Sequence, residues 1–359
     1  MPELLWPFFA ESNPHLGQTD ENLEKLCTPG LFGHDKRLGW KSVPWLFWPT
    51  ELYSFGRCYR EWLNWPRWLP IPVYGDHGVA LFGDLNEHEK NNRSRYHLTW
   101  FGSRYEATNN QSEKKIIHIP HPWITYRRKK KITQNNDAIG TLIFYSHSNV
   151  GIEIEGYKFD EYFNSLKDLP DEYKPLVVCM HMHDINKGYH KTIRKYRLPI
   201  TTAGNTSSPF FVDRFYDLIR QFKYATSNKG GSELFYCAEA GVEYFLYGQE
   251  PRYINHSEDQ LPIGELKLRD NLAIYADERK KSLFRKMPPT IGIDKLRFVS
   301  DVLGLDVNEY KIAKRLKKIF IIEMIRLLPR YCYQLMPMFL SSCRKRGVMG
   351  SLKKLRQLF

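Results

Sequence analysis

The sequence predicts an α/β protein of two doubly wound halves facing a central cleft, followed by a basic amphipathic helical tail. Three observations carry that expectation. Short apolar runs that stop at Gly, Ser or Pro recur between residues 69 and 250, separated by segments with the 3.6-residue apolar spacing of helices. A chain of 359 residues is too long for one ordinary core and suits two α/β domains. The positive charge is concentrated at one end: from Lys311 to Phe359 thirteen Lys and Arg face one acid, Glu323, which accounts for +12 of the formal +13.

In the first half, residues 1–70 are rich in Pro, Trp and Gly and read as short helices with long connections. Strands are predicted over 69–74, 96–100 and 115–119, each ending in a turn: Gly75 to Gly78, the segment at Ser103, and His121-Pro122. Strands so spaced point to a parallel sheet with its functional loops at the carboxyl ends. The basic, polar stretch 127–137 has no apolar period and is read as an interdomain linker. The second half repeats the rhythm, with strands over 141–145, 174–180, 198–202, 224–227 and 242–247. Helices are predicted over 158–166, 212–222 and 234–240, the last with Gly241 as its C-cap. The domains expected are therefore 1–135, 136–305 and a tail of 306–359.

Composition narrows the class. Hydrophobic residues at 42% and charged residues at 26% are those of a globular chain. With the tail set aside, the body is close to neutral, which argues against nucleic acid as the partner and for a local anionic surface. Six cysteines without a CxxC pair read as reduced, buried thiols of a cytosolic protein. The N-terminus lacks the basic and apolar regions of a secretory signal, and no apolar run is long enough to span a bilayer.

The segment 225–242 is the most informative. A strand feeds a turn rich in Gly and hydroxyl groups (Ser227, Gly230, Gly231, Ser232) that opens onto a helix beginning with Glu233. Free N–H groups and the positive end of a helix dipole meet there, and glycine lets a phosphate approach the backbone. Ser232 fits as the N-cap, or its hydroxyl serves the phosphate; an ordinary capped helix has the same pattern. The loops after the neighbouring strands add Ser146, His147 and Ser148, then His181, His183 and Asp184, then Asn205. Their imidazoles and hydroxyls can donate to phosphate oxygens. His181, His183 and Asp184 also invite a metal reading, but on an extended segment Asp184 points away from the two imidazoles and no third ligand is near. No metal is expected. Asp76 and His77 sit in a Gly-flanked loop, where either can act as a general base; a hydrogen-bonded turn is the plain alternative.

Ser232, Glu233, Glu239, Ala240, Gly241 and Phe245 to Gly248, taken with His77-Gly78, Ser103 and His121-Pro122 in the same order, resemble the two-domain glycosyltransferases of bacterial surface polysaccharides. That group, of the GT-B type, includes CDP-glycerol glycerophosphotransferases and transferases that use CMP-Kdo or CMP-sialic acid. The resemblance spans residues 70 to 250. It implies two Rossmann-like domains, a nucleotide-sugar co-substrate with no other cofactor, a glycan or lipid-linked glycan acceptor, and a lean toward a CMP-activated acidic sugar. The turn Ser227 to Ser232 departs from the group's usual Ser/Thr-rich turn, which leaves the donor open. His121 precedes the linker here, so the phosphate contact of the group's His-Pro pair is not carried over to it.

The tail begins with a helix over 311–328, apolar on the side of Ile312, Leu316, Ile319, Phe320 and Leu327, and Pro329 is expected to end or kink it. An apolar face with basic flanks suits the headgroup region of an anionic inner leaflet, reached peripherally from the cytoplasm. The expectation is that 311–328 packs across the domains and that residues after Pro329 meet the membrane. A non-catalytic scaffold of a polysaccharide assembly complex and a basic-tailed nucleic-acid binder are the rival readings.

Overall fold

The computed structural model describes residues 13–28, 50–66, 69–76, 78–79, 85, 87–109, 113–145, 152–155, 159–255, 264–265, 278–285, 287–289 and 292–358. His77, Ser146, His147 and Ser148 lie outside the described residues. Helix α1 (Asp20–Cys27) opens on Thr19, whose side chain accepts from the Asn22 N–H, with Asp20 and Glu21 in its first turn. Helix α2 (Phe55–Leu63) follows, then β1 (Tyr74–Gly75), α3 (Glu87–Asn91), β2 (Tyr96–Thr99), α4 (Gly102–Asn109), β3 (Lys115–His118) and α5 (Pro122–Lys130). The three strands form a parallel sheet in the order β1-β2-β3.

The second half runs β4 (Thr141–Phe144), β5 (Ile152–Glu155), α6 (Phe159–Lys167), β6 (Leu176–Cys179), α7 (Met182–Asn186), α8 (Tyr189–Ile193), β7 (Ile200–Thr201), α9 (Phe211–Ile219), β8 (Tyr224–Ser227), α10 (Ser232–Glu239) and β9 (Glu243–Leu246). Five of these strands make a parallel sheet in the order β7-β6-β4-β8-β9. Counted within that sheet the order is 3-2-1-4-5, the doubly wound pattern, with its reversal between β4 and β8. Buried Leu142, Val177, Val178 and Ala225 run through it, as a sheet covered on both faces requires.

Strands β10 (Arg252–Asn255) and β11 (Gly264–Glu265) join β5 in a small antiparallel sheet that the apolar pattern does not predict. Helices α11 (Glu278–Arg285), α12 (Ile293–Leu303) and α13 (Glu309–Leu358) close the chain. Helix α12 lies against both α4 and α10, and so bridges the two parallel sheets.

Three expectations change. The segment 13–28, expected with the first half, packs on the five-stranded sheet: the Gln18 N–H donates to the Ile200 carbonyl (2.7 Å), and Leu23 and Cys27 are buried in the outer core with Val178 and Ile200. It covers an edge strand that would otherwise be open. The basic run of the expected linker is instead the end of α5, where positive charge complements the helix dipole. Arg127 there pairs with Glu239 of α10 (2.7 Å) and Lys130 with Glu61 of α2 (2.8 Å). Helix α13 runs through Pro329 and departs from helical geometry only at Gly347. Proline in a helix interior costs about 3 kcal/mol, and this one follows a stretch already anchored by buried Leu316, Phe320, Met324 and Leu327.

Candidate functional site

The carboxyl ends of the two parallel sheets meet. The loop leaving β1 reaches the start of α10, where the Val79 N–H donates to the Ser232 Oγ (2.8 Å). Gly78 has φ +67°, and a Cβ there would lie 2.8 Å from the same oxygen, so the close approach requires glycine. Ser232 is therefore not the N-cap of α10. Gly231 holds that position, and the serine hydroxyl is turned across to the other sheet.

Asp76, also in the β1 loop, is fully enclosed. Its carboxylate accepts from His97 Nε2 (2.7 Å) and Thr99 Oγ1 (2.6 Å) and pairs with Arg104 (2.9 Å), whose guanidinium reaches on to Glu89 (2.6 Å). Burial alone would raise the Asp76 pKa, but Arg104, His97 and Thr99 together hold it below the usual carboxylate range. A carboxylate so stabilised is a poor proton acceptor, so Asp76 positions the loop and the role of base expected for it is withdrawn. Asp76, Glu89 and His97 do bring three ligand-type atoms within 4.8 Å of one another. Arg104 bridges the two carboxylates and already supplies the positive charge a divalent ion would bring.

The turn between β8 and α10 has its own internal bonds. Ser227 Oγ accepts from the Lys229 N–H (3.0 Å) and donates to the Lys229 carbonyl, an ST-turn that fixes the loop. The Gly231 N–H donates to Glu233 Oε1 (2.8 Å), which also accepts from Tyr244 OH (3.2 Å). A Cβ on Gly231 would fall 2.3 Å from the Glu233 carboxylate, and one on Gly230 2.7 Å from Leu234. The two glycines thus let the loop close over its own helix, and Glu233 already places a negative charge at the helix N-terminus. Glu233 is a cap here, which corrects its expected role as a phosphate ligand. Beside it stands Lys229, half-buried, with its pKa lowered to about 8 by burial, a trend that Glu250 opposes and Lys281 reinforces. Lys281 pairs with Glu250 at 3.3 Å, and both charges act on Lys229 at this end of the sheet.

His121 is buried as the N-cap of α5: its Nδ1 accepts from the Trp123 N–H (3.1 Å), which leaves the proton on Nε2 to donate to Tyr236 OH (3.0 Å). Burial holds it well below its ordinary pKa, so it is neutral, and Trp100 packs edge-on against it. It joins α5 to α10 rather than facing a ligand. His181 likewise caps α7, its Nδ1 accepting from the His183 N–H (3.3 Å) and its Nε2 lying 3.4 Å from Tyr53 OH. The segment expected to be extended is thus the start of a helix, with Asp184 buried within it and His183 half-exposed. Asn205 is fully buried, donating to the Thr28 carbonyl (2.9 Å) and accepting from the Ser207 N–H (2.8 Å); it ties the loop after β7 to the end of α1.

No family model and no curated protein sequence matches this chain. Among solved structures, the wall teichoic acid polymerase TagF is similar over 70% of this chain and 69% of its own, at 11% identity and a TM-score of 0.36. A likeness of that level assigns neither family nor activity.

Sequence reasoning passed over Lys229, although it lies inside the Gly-rich turn, and over Arg104 and Tyr236. Lys229 carried a usable signal, a cation amid phosphate-type turn residues. Arg104 and Tyr236 had none, because their partners are set by the tertiary fold.

Proposed function

We propose that the chain transfers a sugar from a nucleotide-activated donor to a glycan or lipid-linked glycan acceptor, working from the cytoplasmic side at an anionic membrane surface. The observation that carries this reading is the reversal of strand order between β4 and β8, where the Gly-rich turn bearing Lys229 leaves the sheet opposite the β1 loop of a second parallel sheet. Open α/β sheets bind ligands in the crevice at such a reversal. Ser146, His147 and Ser148 follow β4, on the other side of the same point in sequence.

In this reading Lys229 meets the phosphate charge of the donor, and His77 takes the acceptor proton now that Asp76 is committed to Arg104. The developing charge on the departing nucleotide is stabilised by a cation already fixed in the turn, which is the form of stabilisation that accelerates the chemical step. Nothing among the described residues favours cytidine over another base, so the donor is proposed as a nucleotide-sugar without a preferred base.

One observation favours a second reading, a non-catalytic scaffold: the Glu233 carboxylate and the β1 loop already occupy the start of α10. A thermal-shift panel of CMP, CDP, UDP and GDP separates the two. The transferase reading expects at least one nucleotide to stabilise the wild-type chain and to do so far less in Lys229→Met. Silence across the whole panel sinks it in favour of the scaffold.

A further inference from the structure

Helix α13 has two unlike faces. Leu316, Phe320 and Leu327 are buried, and the helix packs on α2. On the opposite side Ile321, Ile322, Ile325, Leu328, Met336 and Leu340 are each at least half exposed. Positions 321, 325 and 328 follow the turn-by-turn spacing of one helix row, so these are a continuous strip and not scattered single residues. The same outward side carries exposed Lys311, Lys314 and Lys318 in the turns before the strip, and exposed Arg344 follows it. The one acid between Lys311 and Phe359, Glu323, is fully buried and bound by Arg95 (2.7 Å) and Arg326 (2.9 Å). No negative side chain in that stretch opposes the cationic ends.

We infer that this outer face of α13 is a docking surface for an anionic lipid bilayer, with the helix lying in the plane of the headgroups. An apolar strip set between basic turns matches the acyl boundary and the phosphates above it. The inner apolar face is already taken up by the protein core, and among the described residues no helix is long and apolar enough to cross a membrane. A second copy of the chain would bring like-charged turns together around the strip, and a nucleic acid would use the lysines but leave the strip in water. The surface begins at Ile321, ahead of Pro329, so the stretch expected in part to pack across the domains serves both sides at once. The inference uses no cleft residue, so vesicle binding and nucleotide binding fail separately.

The test is co-sedimentation of the full chain with phosphatidylcholine vesicles and with vesicles that also contain phosphatidylglycerol. The wild type is expected to pellet with the anionic vesicles and only weakly with the neutral ones. Ile321→Ser, Ile325→Ser and Leu328→Ser combined should weaken anionic-vesicle binding by about a hundredfold, with the thermal unfolding midpoint unchanged because all three side chains face solvent. If that triple variant unfolds, Ile325→Ser alone is read, with a loss of about tenfold. Lys314→Glu with Lys318→Glu should cost at least about tenfold, and more at low salt. Undiminished binding by a folded serine variant overturns the inference. So does vesicle-free dimerisation that the serine variant abolishes, or binding of an RNA oligonucleotide with no binding to vesicles.

Discussion

Asp76 and Lys229 occupy matching places, each just beyond the carboxyl end of a strand in a parallel sheet, yet their charges are handled in opposite ways. Asp76 is surrounded by Arg104, His97 and Thr99, and its charge is answered within the protein. Lys229 is only half-buried in the Gly-rich turn, where it feels both Glu250 and the Lys281 that pairs with that carboxylate. A buried charge that is fully answered is architecture, because removing it leaves an uncompensated partner. A half-exposed cation with a perturbed pKa at a crevice is a candidate group for meeting an anionic ligand.

The sharpest way to break the comparison is Asp76→Ala. It leaves Arg104, which is 1% exposed, with Glu89 as its remaining carboxylate and takes the acceptor from His97 and Thr99, and should destabilise the fold by about 3–5 kcal/mol in denaturant titrations. A loss below about 1 kcal/mol would mean that the pair is solvated and that Asp76 is as available as Lys229.

Lys229→Met tests the other side. Nucleotide affinity should fall roughly ten- to a hundredfold, as expected for losing a charged hydrogen bond, while stability holds or rises. The pH dependence has two opposite signs. With the Lys229 pKa near 8 in the folded chain, ligand binding weakens as pH rises through about 8 and the ammonium loses its proton. Stability without ligand moves the other way. The unfolded chain holds more protons between about 8 and the ordinary lysine value of 10.5, so this group's contribution to stability increases across that window. A binding curve flat across pH 8 would remove Lys229 from the site.

The smallest effect belongs to Ser232→Ala, which deletes the bond to the Val79 N–H. About 1 kcal/mol of stability should be lost, with the donor nucleotide shifting the midpoint of the variant and the wild type alike. A nucleotide response that disappears in the variant would return Ser232 to the donor site.

The parallel strands were legible because buried apolar runs ending at turns survive in the linear chain: residues 96–100 and 115–119 predict β2 and β3 to within a residue. The small antiparallel sheet was not, since Ile152–Glu155 pairs with Arg252–Asn255 about a hundred residues away and each strand has only four residues. The linker expectation failed over Arg127 and Lys130 for the same reason: the acids that fix them, Glu239 and Glu61, are remote in sequence. Residue types did locate the Gly-rich turn between β8 and α10. They could not show that Ser232 bonds across to the other sheet, or that Glu233 folds back to cap the helix. Local pattern locates a turn, whereas tertiary contacts decide which of its groups remain available.

Glu323 has a mechanical consequence. Its carboxylate grips Arg95, the residue immediately before β2, and two and four positions further along that strand lie His97 and Thr99, which hold Asp76. Helix α13 is thus bolted to the same strand that anchors the cleft loop. The Arg326 guanidinium adds a bond to the Arg93 carbonyl (3.0 Å), so the seating of the tail and the register of the strand that holds the cleft loop are set by one small cluster of contacts.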